Sequence, residues 1–165
     1  MPETLTLQTP AKINLSLDVT GRRDNGYHDV CMIMQQIGLY DRITITVSED
    51  AVNTVKKEIL IGSDSDGIPL NSDNLVYKAA RLLMDEYNID SGVSIYIEKH
   101  IPIAAGLAGG SSDAAAVLKG MNELFKLGLS EEGLKELGVR IGADVPYCIM
   151  GGTARAEGIG EVLTH

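Results

Sequence analysis

The chain has no tryptophan, one phenylalanine and six tyrosines in 165 residues. Aromatics make up only 4% of it, so any core must be mostly aliphatic. Positive charge is also scarce: 14 Lys and Arg stand against 23 Asp and Glu, a formal net charge of −9. Sequence-independent binding to nucleic acid or anionic lipid needs a basic face, so neither is expected as a partner, although a local basic pocket stays open. Cysteine is limited to Cys31 and Cys148, far apart, and no signal peptide or transmembrane run is visible. These two read as reduced thiols of a cytoplasmic protein. His28, His100 and His165 do not combine with them at any metal-ligand spacing, so no metal site is expected. The run Ser63-Asp64-Ser65-Asp66-Gly67 looks superficially like a calcium loop. Its glycine falls too early and no glutamate stands at the twelfth position, so it reads as a solvated turn.

What is present suits one domain with a real core: 44% hydrophobic and 22% charged residues over this length. Leu5, Leu7 and Thr9 suggest a first strand. Ile13 to Val19 alternates with period two and predicts a half-buried strand. Gly21 to Gly26 is a turn ending in Asn-Gly. Val30 to Leu39 reads as extended, Ile43 to Val47 as a strand, and Val52 to Ile61 as its pairing partner. Asn74 to Tyr87 reads as a helix with Asp73 as N-cap. Val93 to Ile97 alternates again. Ser130 caps a helix bearing Leu134, Leu137 and Ile141. Tyr147 to Met150 is predicted as a short buried strand before Gly151-Gly152 and Thr153 to Ala156.

One stretch organises the rest. Pro102-Ile103-Ala104-Ala105-Gly106-Leu107-Ala108-Gly109-Gly110-Ser111-Ser112 passes from loop to helix. Its glycines remove side chains where a ligand could approach the backbone and allow positive φ. Ser111 and Ser112 are N-cap types, and Asp113 suits a first turn. Ala114, Val117, Leu118, Met121, Leu124 and Phe125 then follow a 3.6 period, and Gly128 is a plausible stop. A small-residue loop that delivers free N–H groups to a helix N-terminus accepts phosphate readily. Two readings stay open on these residues alone: a phosphate cradle, or an ordinary glycine turn before a buried helix. Neither G-x-x-x-x-G-K-[ST] nor G-x-G-x-x-G is present.

The order Pro-x3-Gly-Leu-x-Gly-Gly-Ser-Ser-x-Ala-Ala resembles the phosphate loop of the GHMP kinases, small-molecule kinases named for galactose, homoserine, mevalonate and phosphomevalonate. The likeness runs along the whole chain, through Pro10 to Leu15, Gly26-Tyr27-His28, Gly142-Ala143-Asp144-Val145-Pro146, Gly151-Gly152 and Gly158 to Glu161. Gly-Tyr-His together with Gly-Ala-Asp-Val-Pro resembles the branch acting on 4-diphosphocytidyl-2-C-methyl-D-erythritol in non-mevalonate isoprenoid synthesis. Ala105 and Ala108 stand where some relatives carry glycine. The resemblance implies an α+β, ribosomal-protein-like two-layer fold with a left-handed β-α-β crossover. It also implies a second, carboxy-terminal domain, which is expected to lie outside these 165 residues. Residues 1–165 are therefore expected to be an amino-terminal fragment that folds, has impaired turnover and self-associates.

The resemblance carries roles to particular residues. Asp144 matches the base that takes the proton of the erythritol 2-hydroxyl; on residue type alone a turn aspartate before Val-Pro is the favoured reading, and the resemblance reverses it. Lys12 matches a catalytic lysine, and a cation beside Asp144 would hold it ionised. Asn14, two residues on, shares the strand face of Lys12 and is expected to reach the substrate. Tyr27 and His28 match a cytosine-recognition segment. Residues 102–112, with Asn74 and Lys99, match the ATP-binding positions, and Mg²⁺ is expected to arrive with the nucleotide. The alternatives are a homoserine or mevalonate-type kinase, a non-catalytic nucleotide-binding module, or an RNA-binding domain on the same fold. The charge of −9 disfavours the last.

Overall fold

The computed structural model describes residues 3–24, 26–47 and 58–165. Two 20-residue strands form its spine: β1 (Glu3–Arg22) and β2 (His28–Val47). They pair antiparallel from Glu3 opposite Val47 to Arg22 opposite His28. The strands expected at Leu5 and at Ile13 are thus one strand. Its register slips between Pro10 and Lys12, where proline can donate no ladder hydrogen bond and the chain bulges. The other edge of β2 is shared. β4 (Val93–Glu98) covers Arg42 to Val47, and β5 (Thr153–Glu157) covers Met32 to Gln35. β3 (Ile59–Ser63) runs parallel to β4, and β6 (Val162–Thr164) lies outside β5. The proposed pairing segment at Val52 lies outside the described residues as far as 57; Ile59 to Ser63 pairs with β4, not with Ile43 to Val47.

Among the described residues there are four helices: α1 (Leu75–Glu86), α2 (Gly109–Leu124), α3 (Glu131–Val139) and α4 (Val145–Met150). α1 packs on α2, and α2 packs on β1, β2 and α4. β3, α1 and β4 form the β-α-β unit of a mixed α+β fold. The core is aliphatic: Met34, Ile43, Ile45, Leu83, Ile95, Leu118 and Met121 are fully buried. α2 sits close to the sheet because Gly120 has no side chain; a Cβ there would lie 2.5 Å from Ile45 Cδ1.

Four expectations need correction. Tyr147 to Met150 is helix, not strand. An apolar run this short carries no period, and the Pro146 ring suits the first helical turn. The N-cap of α1 is Asn74, whose Oδ1 accepts from Val76 N at 2.9 Å, whereas the Asp73 amide donates to Asn71 Oδ1. α2 starts at Gly109, ahead of both serines, with left-handed Ala108 at its cap. Finally, the face bearing Leu15, Leu17 and Val19 is exposed, at 59%, 50% and 60%. The hairpin outruns the helices that cover the sheet elsewhere, so its apolar alternation meets no partner.

Candidate functional site

The loop from Pro102 to Ala108 forms one side of a cavity of about 600 Å³. Its backbone is held in unusual conformations: Ala104 and Ala108 both have φ of 57°, and Gly106 has 74°. Alanine in this left-handed region costs roughly 1 kcal/mol or more per residue, and such strain persists only where the surroundings impose it. One anchor is visible: Lys12 N donates to Leu107 O at 3.0 Å and ties the loop to β1. The N-terminus of α2 has no side-chain cap. Ser112 N is the first amide of α2 to find a carbonyl one turn back, that of Ala108. The amides of Gly109, Gly110 and Ser111 therefore end the helix without intrahelical partners, at residues that line the cavity. With the helix dipole behind them they make an anion cradle.

The same cavity is lined by Lys12, Asn14 and Asp144. Lys12 is only 5% exposed. Its Nζ lies 3.7 Å from Asp144 Oδ2 and donates to Asn14 Oδ1 at 3.2 Å. Asp144 is brought there by the turn into α4, where Cys148 N donates to Asp144 O at 3.1 Å. Its side chain keeps 32% exposure and stays open to a ligand. On the buried side of α4, desolvation pushes the Cys148 thiol up to about 12, so it is inert near neutral pH. Ile68, Pro69, Leu75 and Ile103 give the same cavity an apolar part of its lining.

Every residue assigned to ATP except Ser112 lines this cavity. The Ser112 hydroxyl instead donates to Pro10 O at 2.7 Å and bonds the Thr9 hydroxyl, pinning α2 to β1. Asn74 reaches the cavity, but both ends of its amide are occupied: Oδ1 caps α1 and Nδ2 donates to Pro69 O at 2.7 Å. Lys99 commits its ammonium to Asp41 and Asp113. Burial alone would lower the pKa of Lys99; the two carboxylates outweigh it and hold the group above its ordinary value. Tyr27 and His28 are exposed at the far end of the β1–β2 hairpin and do not line the cavity. Sequence reasoning missed Asp41, which touches the loop approach from 58 residues away in the chain. No spacing rule could reveal that contact. It also gave Asp113 only the place of a first-turn acid, and that residue lines the cavity. Among the described residues no three His, Cys, Asp or Glu side chains cluster as metal ligands.

The family model for the GHMP kinases N terminal domain matches residues 74–152. A 4-diphosphocytidyl-2-C-methyl-D-erythritol kinase of Lachnospira eligens is 55% identical over 163 residues, 99% of this chain and 54% of that protein. One of Clostridium acetobutylicum is 52% identical, over 97% of this chain and 55% of that protein. A crystal structure of 4-(cytidine 5'-diphospho)-2C-methyl-D-erythritol kinase superposes with a TM-score of 0.78 at 36% identity, covering 97% of this chain and 54% of its own. The homoserine kinase of Cytophaga hutchinsonii shares the fold, with a TM-score of 0.70 at 17% identity, over 93% of this chain and 48% of its own. The chain thus spans about half the length of the relatives it matches.

Proposed function

We propose, for a chain that carries the GHMP-kinase amino-terminal domain, that it serves ATP-dependent phosphorylation of the erythritol 2-hydroxyl of 4-diphosphocytidyl-2-C-methyl-D-erythritol. The observation that carries this reading is the Lys12–Asp144 pair, 3.7 Å apart, on the wall of the cavity that the uncapped end of α2 also lines. Phosphoryl transfer needs few covalent roles from the protein; it needs positioning and charge stabilisation. The cradle amides and the α2 dipole hold the transferring phosphates. The apolar wall of Ile68, Pro69 and Leu75 takes the adenine face. Asp144 accepts the proton of the acceptor hydroxyl as its oxygen bonds the γ-phosphorus and the bond to the ADP oxygen breaks. Lys12, 3.7 Å from Asp144 Oδ2, orients the acceptor oxygen, and Asn14, whose Oδ1 accepts from Lys12, faces the substrate in the same cavity. Mg²⁺ bound to the phosphates would neutralise charge developing on their oxygens. The cytosine is assigned to Tyr27 and His28, where an aromatic ring can stack on a base.

The specificity half of this reading rests on relatives at 52–56% identity that are named for this substrate. The test is ADP release by a protein of the relatives' full length carrying this domain, offered the cytidyl substrate, homoserine and mevalonate. Turnover with the cytidyl compound alone is expected. Comparable turnover with homoserine would replace the reading by the general one, a GHMP small-molecule kinase.

A further inference from the structure

Lys99 lies just before the glycine loop, and its ammonium is clamped between Asp41 of β2 and Asp113 of α2. Nζ donates to Asp113 Oδ2 at 2.8 Å and also to Asp41 Oδ2. Asp41 Oδ1 in turn accepts the amides of His100 at 2.6 Å and Ile101 at 2.8 Å. Both carboxylates are buried, Asp41 at 0% and Asp113 at 2% exposure. One point on β2 therefore fixes the chain on both sides of the loop, at His100-Ile101 before it and, through Lys99, at Asp113 after it. Gly109 is shaped by the same device. A Cβ there would lie 2.9 Å from Lys99 Nζ and 3.1 Å from Ile101 Cγ2, so the loop closes directly over the ammonium. Asp113 Oδ1 is buried without a hydrogen-bond partner.

Two carboxylates around one ammonium leave a net negative charge beneath the phosphate cradle. That charge repels phosphate, and buried ion pairs are weak devices for stability. Neither effect accounts for the cluster, whereas its geometry does. We infer that Asp41 and Asp113 are positioning residues for the nucleotide: acting through Lys99, they hold the two ends of the 102–110 loop in the arrangement that aims its amides at phosphate. The inference rests on the proposed reading of that loop as a phosphate cradle.

The test compares this chain with its Asp113→Asn and Asp41→Asn variants. Hydrogen exchange of the bonded amides that bracket the loop, His100, Ile101 and Ser112, is followed without nucleotide, with residues 76–84 of α1 as the internal control. Titration with ATP and magnesium chloride is run from pH 5.5 to 8.5. In Asp113→Asn these bracketing amides should exchange about tenfold faster while α1 is unchanged. At pH 8.5 the Kd for ATP should rise about tenfold, the scale of turning one charge-assisted hydrogen bond into a neutral one. Taking the variant-to-wild-type ratio at each pH cancels protonation of ATP itself. That ratio should shrink toward one by pH 5.5, as Asp113 of the wild type takes a proton. Lys99 and Asp41 are the charged groups facing Asp113; Lys12 and Asp144 line the same cavity, and Cys148 stays protonated throughout.

A purely electrostatic role has the opposite sign, because removing a negative charge near the phosphates tightens ATP. Tighter binding to Asp113→Asn, or unchanged exchange of the bracketing amides in both variants, overturns the inference. If the wild-type chain binds no ATP at any pH while the variants loosen the loop, the tether stands and the phosphate reading falls. Should Asp41→Asn not fold, Lys99→Met/Asp113→Asn removes one charge of each sign and answers the same question.

Discussion

Desolvation, partly offset by Lys99, raises Asp113 to about 7 from an ordinary 3.8. A carboxyl raised in the folded state contributes stability that is full below its unfolded pKa and is lost as pH climbs through the folded one. The wild type should therefore lose stability from this group between about pH 4 and 7, and Asp113→Asn should not. Thermal unfolding of both proteins across that range checks it; parallel Tm profiles would place Asp113 at an ordinary pKa. The ionised form thus costs the fold globally and grips Lys99 locally, the trade expected of a group kept for function. Asp144 acts differently, being partly exposed and free to meet a ligand. In a protein of the relatives' full length, Asp144→Asn should lower kcat by roughly 10²–10⁴-fold, the range for losing a positioned general base. ATP affinity should hardly change, since the cradle is backbone. Collapse of ATP binding with turnover per bound ATP preserved would make Asp144 a structural turn residue.

Helix α2 answers two demands along its length, and two of its glycines separate them. At Gly110 a Cβ would meet only Leu75 Cδ1 at 3.8 Å, an ordinary contact. Gly110→Ala should then stabilise the chain by about 0.5–1 kcal/mol through helix propensity, while placing a methyl on the cavity wall and weakening ATP. At Gly120 the same methyl would press on Ile45 and Leu7 at 2.5 and 3.0 Å. Overpacking of a buried contact typically costs about 1–3 kcal/mol, so Gly120→Ala should destabilise despite the same gain in propensity. Urea unfolding of the two variants, with ATP titration of the first, reads both signs. Equal shifts in the same direction would mean that the helix-to-sheet distance is not set by Gly120.

At the scale of the whole molecule, the open feature is the outer hairpin. Leu15, Leu17 and Val19 stand exposed along β1, although Leu17 pairs with Met32, which is buried between β1 and β5. Contiguous exposed apolar side chains favour association. Sedimentation of this chain should show concentration-dependent self-association that Leu17→Lys with Val19→Lys abolishes without loss of Tm. A monomer at all concentrations would show that the stripe is too small to drive contact.

The amino-acid sequence by itself determined the local signals. The alternation of Val93 to Ile97, the 3.6 period from Ala114 to Leu124 and the Ser130 cap all depend on neighbours within a few residues, and the structure has each of them. The glycine loop with Lys12 and Asp144 was legible through its resemblance to a family, and the structure brings those residues to one cavity. Other features depended on contacts that no window of sequence contains. Apolar alternation does not say whether a covering helix reaches a strand, so the exposure of Leu15 to Val19 was decided by where α1 and α2 end. Tyr147 to Met150 carried no period, and its helix was decided by the packing of α4 on α2 and α3. Asp41 became part of the site only when β2 paired with β4 and laid its carboxylate under the loop approach. The tertiary structure alone decided which charges are buried together, because burial and ion pairing depend on distance in space, and separation along the chain does not fix that distance.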